Sequence, residues 1–358
     1  MTDEKKPIIV VKVSAGARHL AGLLLRQTPG GNGVWKNCQF IVNQPVERCD
    51  WWVVFRPLGL LKPESTLCDP NHIVYISSEP NESVGNITES FLNQFSHFIL
   101  CDRSIERPNI KYATGLTWWV GMRVRHVGGY HNFTPRYEMD YDILKAIQRP
   151  KKINRISVIL SKKVFLEGHR KRLEFVSKIK ELPVGKYIDL FGAGFNPIPD
   201  KWDVIAPYKY HLVLENDIVL DNWTEKLADA YLGFAFPIYS GCPNIHDYFP
   251  SESLLTIDIN NLEATATRLL ELIESDPYEN HIAAISIARN KVLNQYNIFE
   301  LMSDVCKGQA SLSVECKLKP NHSAKYFIKS NIKQSIVNAV SRSKITLWGF
   351  KKIRQILG

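Results

Sequence analysis

Short β-branched and aromatic runs recur along the chain, separated by turn residues and by stretches with helical spacing. Residues 7–13 (PIIVVKV), 50–55 (DWWVVF), 72–77 (HIVYIS) and 98–101 (FILC) read as strands. Breakers such as Pro29-Gly30-Gly31 and Pro70-Asn71 lie between them, with a helical pattern at 89–95. This alternation favours α/β layering around a largely parallel sheet. A charged break, Arg149-Pro150-Lys151-Lys152, interrupts it, and the pattern then restarts. Strands are predicted at 155–160, 187–191, 210–214 and 235–239, and helices at 168–180, 223–234, 262–275 and 277–295. The expected organisation is therefore one α/β domain over 1–150, a second over 151–315, and a tail over 316–358.

The tail has apolar residues at helical spacing (Ile332, Ile336, Val340, then Leu347, Phe350, Ile353, Leu357), and its polar faces carry only basic charge. Such a helix suits an anionic membrane surface, and it equally suits docking back on the body with solvated lysines. Ten of the 45 basic residues and none of the 36 acidic ones fall in 316–358, so the basic excess belongs to the tail and the rest of the chain, 35 basic against 36 acidic, carries −1. The body is close to neutral and holds no RNA-binding motif, which argues against a nucleic-acid partner.

With 358 residues, 45% of them hydrophobic, the chain has the apolar mass for two cores. Its apolar runs fall short of the roughly 20 residues that span a bilayer. Acidic Asp3 and Glu4 precede the first apolar run, which does not suit a secretory signal. The seven cysteines are scattered, odd in number and contain no C-x-x-C pair, so disulfide and zinc frameworks are not expected and a reducing compartment is. The expected location is cytoplasmic, peripheral to the inner face of the membrane.

Residues 208–250 carry the most chemical information. A strand ends in Glu215-Asn216-Asp217, a polar loop follows, and a helix is predicted to open near Asn222, with Glu225 three positions on as in a capping box. Ligands of doubly wound sheets bind beyond the carboxyl ends of strands, where helix N-termini point at them. Free N–H groups there, with Lys226, favour a phosphate. Glu225 either caps the helix or accepts two hydrogen bonds from a diol such as ribose.

The order of residues in this segment is closely similar to the signature of the family 10 fucosyltransferases. The matching elements are Tyr208-Lys209-Tyr210, Glu215-Asn216, Asp221, Thr224-Glu225-Lys226, Pro237-Ile238, Gly241, Pro243-Asn244 and Tyr248-Phe249-Pro250. Upstream, 157–163 followed by Arg170-Lys171-Arg172 and Phe175 resembles the family's strand, loop and arginine-bearing helix. Tyr75-Ile76-Ser77-Ser78-Glu79-Pro80 resembles the segment bearing its proposed base, and 108–121 the segment closing its first domain.

The resemblance implies a GT-B architecture, with two Rossmann-like domains facing across a cleft, the first for the acceptor and the second for GDP-fucose. It implies an inverting glycosyltransferase that needs no metal or other cofactor. Glu79 would be the base, Arg172 and Lys226 would hold the diphosphate, Glu225 the ribose, and Asn216 would stand nearby. Arg170 rivals Arg172, and Lys209, Tyr210 and Asn222 are further donor candidates. The acceptor would be a glycan, such as an N-acetylglucosamine-containing surface polysaccharide or lipid-linked oligosaccharide. Asn222-Trp223 shifts the family's aromatic by one position and Asp217 replaces a hydroxyl residue, which leaves another nucleotide sugar open as donor. A further alternative is a non-catalytic protein acting through its basic tail.

Two other motifs read as structural. Asp140-Tyr141-Asp142 stands at an apparent helix start, where acidic residues suit the macrodipole. Gly192-x-Gly194 lacks the third glycine of a dinucleotide loop and reads as a turn.

Overall fold

A computed structural model of the chain describes residues 7–17, 19–77, 87–126, 133–162 and 167–321. Two largely parallel sheets dominate it. The first contains β1 (Ile9–Ser14), β2 (Val34–Trp35), β3 (Cys38–Val42), β4 (Trp51–Phe55), β6 (Ile73–Ile76), β7 (His97–Leu100) and β8 (Ile110–Tyr112). Their order is β2-β3-β1-β4-β6-β7-β8, with only β2 antiparallel to its neighbour. β5 (Glu64–Cys68) lies outside this sheet, and β9 (Met122–His126) pairs with β10 (Phe133–Tyr137) as a hairpin. The second sheet, all parallel, runs β12-β11-β13-β14-β15, with β11 at Ile153–Ile159, β12 at Ile188–Phe191, β13 at Tyr208–Leu214, β14 at Phe236–Ser240 and β15 at Leu255–Thr256.

Strands covered on both faces lose the apolar–polar alternation of a half-exposed strand. Every residue of β4 (WWVVF) and of β14 (FPIYS) is accordingly buried. In both sheets the chain leaves its first long strand toward one edge, then crosses back to build the other. The order reverses between β1 and β4 in the first sheet and between β11 and β13 in the second, and such corners are where doubly wound sheets take ligands.

The carboxyl ends of the two sheets face each other. Arg103, after β7, donates to Asp221, after β13, at 2.5 Å, and Thr114, after β8, donates to the Asp221 carbonyl at 2.6 Å. The seam is closed by buried polar groups. Asp229 Oδ1 accepts from the Trp119 and Val120 amides at 2.9 and 3.1 Å, and Asp200 Oδ1 from the Gly121 amide at 2.9 Å. Buried Arg26 donates to the carbonyls of Trp118, Val120 and Met139. These are two Rossmann-like lobes in the GT-B arrangement.

The chain then crosses back to the first lobe. The helix Ile298–Val305 sets Phe299 edge-on to Phe40 at 5.0 Å, and β16 (Val314–Leu318) pairs antiparallel with β5. The stretch expected to open the tail at Cys316 therefore starts inside a strand, and 322–358 lie outside the described residues. Asp140 caps the helix Tyr141–Ala146 by accepting from the Ile143 amide at 2.9 Å, and Asp142 accepts from the Gly30 amide at 2.6 Å.

Candidate active site

A cavity of about 730 Å³ opens at the β11/β13 corner, within the range usual for small-molecule sites. Leu160 and Ser161, after β11, form one wall, and Leu214 and Asn216, at the end of β13, another. The turn after β12 forms a third through Gly192, Ala193 and Gly194. Gly192 has φ 112°, and a Cβ there would stand 1.9 Å from the Leu160 carbonyl oxygen, so the close approach of turn to strand requires glycine. This pair of glycines is a turn, as its sequence suggests, and the turn belongs to the cavity.

Glu215 organises the cationic side. Its side chain is fully buried, and its carboxylate accepts from the Thr224 amide (2.8 Å), the Thr224 hydroxyl (2.8 Å) and Lys226 Nζ (3.0 Å). The helix consequently spans Glu225–Leu232 with Thr224 as its N-cap, the Thr224 hydroxyl accepting from the Lys226 amide at 3.3 Å. This corrects the expected start at Asn222. Trp223 is drawn into the core against Tyr248, Phe249 and Tyr296 at 5.9, 4.9 and 5.4 Å, and that packing overrides the local capping signal.

Arg172, Asn216, Glu225 and Lys226 all line the cavity. Burial opposes the Lys226 charge, but Glu215 and Glu225 outweigh it and hold the ammonium above the ordinary lysine range. For Glu225, burial is outweighed by Lys226, Lys201 and Arg56, which bring its pKa down to about 2. Arg172 is buried on its helix, donates Nη1 to the Leu214 carbonyl at 3.1 Å and keeps Nε without a partner. Burial lowers its pKa against the pull of Glu215, Glu225 and Asp217. The buried Asn216 Oδ1 is likewise without a hydrogen bond.

Other candidates stand apart. Arg170 projects into solvent 3.9 Å from Glu167, so of the two arginines only Arg172 reaches the cavity. Lys209 and Tyr210 both hold Asp276, the Tyr210 hydroxyl at 3.1 Å, and neither lines the cavity. Asn222 is buried outside it. Glu79 lies outside the described residues.

Lys201, Asp229 and His211 are among the lining residues that the sequence pattern does not single out. Lys201 Nζ sits 2.8 Å from buried Asp229 and 3.9 Å from Glu225. His211 Nδ1 lies 2.8 Å from Ser157 Oγ, and burial, with Lys201 and Lys152, takes its pKa down to about 3, so the ring is neutral. Only contact between segments identifies these. Asp221, a matched motif residue, is the fastening point of the loop. At φ 59° it accepts from Arg103, from Asn244 Nδ2 at 2.8 Å and from the Tyr248 hydroxyl at 2.7 Å.

Among the described residues, no group of three or more His, Cys, Asp or Glu side chains is placed to hold a metal ion. The cavity instead gathers Arg172, Lys201 and Lys226 beside a helix N-terminus, an arrangement that suits a phosphorylated anion. Residues 150–314 match the sequence model of "Glycosyltransferase family 10 (fucosyltransferase) C-term".

Solved structures similar to the chain include an α1,3-fucosyltransferase at 14% identity and TM-score 0.46, covering 84% of this chain and 93% of that one. An α1,3-fucosyltransferase with GDP has 14% identity and TM-score 0.44, covering 84% and 94%. One with GDP-fucose has 12% identity and TM-score 0.39, covering 97% and 94%.

Proposed function

We propose that the protein transfers fucose from GDP-fucose to a hydroxyl of a glycan acceptor, with inversion at the anomeric carbon. The observation that carries this reading is the convergence of Arg172, Asn216, Glu225 and Lys226 on one cavity at the β11/β13 corner, within the residues that match the family 10 model. Lys226 and Arg172 meet the diphosphate, and Glu225, ionised and opening on the cavity, accepts from the ribose hydroxyls. As the bond from the anomeric carbon to the phosphate oxygen breaks, its electron pair stays on that oxygen, where fixed cations lower the barrier. The acceptor oxygen bonds the anomeric carbon from the opposite face and its proton passes to a carboxylate, for which Glu79, shortly after β6, is the candidate.

The acceptor in this reading is an N-acetylglucosamine-containing surface polysaccharide or lipid-linked oligosaccharide. In this reading the basic stretch that follows β16 holds the enzyme at the cytoplasmic face of an anionic membrane. A donor bearing another sugar is the second reading. It is favoured by Trp223, whose ring stands 1% exposed in the core instead of beside the cavity.

A thermal-shift series with GDP, UDP and dTDP tests the donor. GDP alone should raise Tm, and the rise should grow with concentration. Stabilisation by UDP or dTDP in its place would overturn GDP-fucose as substrate.

A further inference from the structure

The strand order that puts the cavity between β11 and β13 marks an equivalent corner on the first sheet, between the carboxyl ends of β1 and β4. Arg56 is the first residue after β4 and stands at that corner. Its φ is 69°, in the left-handed region that residues with a side chain seldom occupy, and it precedes Pro57, where extended backbone is the usual conformation. The position is fixed on both sides. Its amide donates to the Ile76 carbonyl at 2.7 Å, and its carbonyl accepts from the Gly59 amide at 2.9 Å. Glycine would adopt this turn without strain, so the turn itself does not call for arginine. Strained backbone held this firmly is characteristic of ligand sites.

The side chain points to the same conclusion. The residue is half-buried, its guanidinium lies 4.9 Å from the Phe55 ring centroid, and its buried Nε has no hydrogen-bond partner. Among the described residues the guanidinium forms no ion pair. Arg26 and Arg103 contrast with it, since both are engaged by protein groups. Its charge is nonetheless felt at Glu225 on the opposite lobe, where it helps hold that carboxylate ionised. A partly buried cation with no ion pair among the described residues, standing at the corner of the first sheet whose strand ends face the other lobe, is completed by an anionic ligand.

We propose that Arg56 binds the nucleotide sugar's diphosphate from the first lobe, opposite Lys226 and Arg172, so that the departing phosphate is met from both sheets. This rests on reading the cavity as a nucleotide-diphosphate site. Negative charge grows on the phosphate oxygen as the glycosidic bond breaks, and a second-side cation stabilises it there.

Binding of GDP and of guanosine, measured on the full chain and on Arg56→Gly and Arg56→Lys, tests this. Arg56→Gly relieves the backbone, so its Tm should equal or exceed that of the wild type. Its GDP affinity should fall about 10- to 100-fold while guanosine binds unchanged, and Arg56→Lys should recover part of the loss. Wild-type GDP affinity and turnover in Arg56→Gly would overturn the proposal, as would a defect confined to the acceptor KM. Failure of the wild type itself to bind GDP would instead overturn the cavity reading beneath it.

Discussion

The two sheets share a reversal of strand order beside their first long strand but equip their ligand corners differently. At β11/β13 two of the three cations arrive paired, Lys226 with Glu215 at 3.0 Å and Lys201 with Asp229 at 2.8 Å, while Arg172 donates to the Leu214 carbonyl and keeps its Nε for a ligand. At β1/β4 stands Arg56, with its backbone strained and its guanidinium unpaired among the described residues. The two paired lysines keep their places with no ligand present, because their charges are already compensated. An unpaired cation gains most when a ligand supplies the missing charge. The second corner is thus built to hold, and the first to respond.

The comparison breaks most visibly at Lys226. In Lys226→Ala the fully buried Glu215 carboxylate keeps only its Thr224 contacts, and removing one partner of a buried pair costs about 3 kcal/mol or more. Tm should fall by several degrees, and GDP affinity by about 100-fold, since a charged contact to phosphate is lost as well. Calorimetric titration of the variant measures both the loss and its cause. Lys226→Arg should restore the fold more fully than the affinity. If Lys226→Ala bound GDP as the wild type does, the second corner would not be the anion site.

Glu225 gives a smaller effect with a pH signature. Its folded pKa of about 2 lies below the unfolded glutamate value of about 4.3, so the ionised side chain stabilises the fold at neutral pH. That contribution is complete above the unfolded value and disappears as pH falls from about 5 toward 2. The Tm difference between wild type and Glu225→Gln should therefore be constant from pH 7 to about pH 5, and close at lower pH. A difference that closed near pH 6 would show a carboxylate without its three cationic neighbours. The same variant should bind GDP more weakly than the wild type at pH 7, through the lost ribose contacts.

What the sequence reveals divides along the same line. Strongly apolar runs such as β4, β13 and β14 are legible because burial on both faces leaves no polar alternation to confuse them. Cys38–Val42, Glu64–Cys68 and Val314–Leu318 are not, because their half-exposed faces carry Gln, Glu, Ser or Lys. In the site, Arg172, Glu225 and Lys226 can be read because their motif is local. Lys201 cannot, since its partner Asp229 lies 28 residues away and meets it only once the lobe has folded. The helix start at Thr224 was hidden for a similar reason: Asn222 satisfies the capping pattern, and the aromatic surroundings of Trp223 decide otherwise.

The smallest expected effect tests how the two corners communicate. Arg103, from the first lobe, donates to buried Asp221 on the loop that carries Glu215 to Lys226, and its own side chain is 53% exposed. An exposed cation adds little to global stability, so Arg103→Ala should leave Tm almost unchanged. Asp221 keeps Asn244 and Tyr248, so the loop stays folded but loses one of its ties to the first lobe. The consequence should appear locally, as faster hydrogen exchange of amides at 219–224, and as a higher donor KM with kcat nearly preserved. Arg103→Lys should restore most of the protection. Unchanged exchange in Arg103→Ala would mean that Thr114, donating to the Asp221 carbonyl at 2.6 Å, fastens the loop alone, and that the side-chain pair adds no coupling between the lobes.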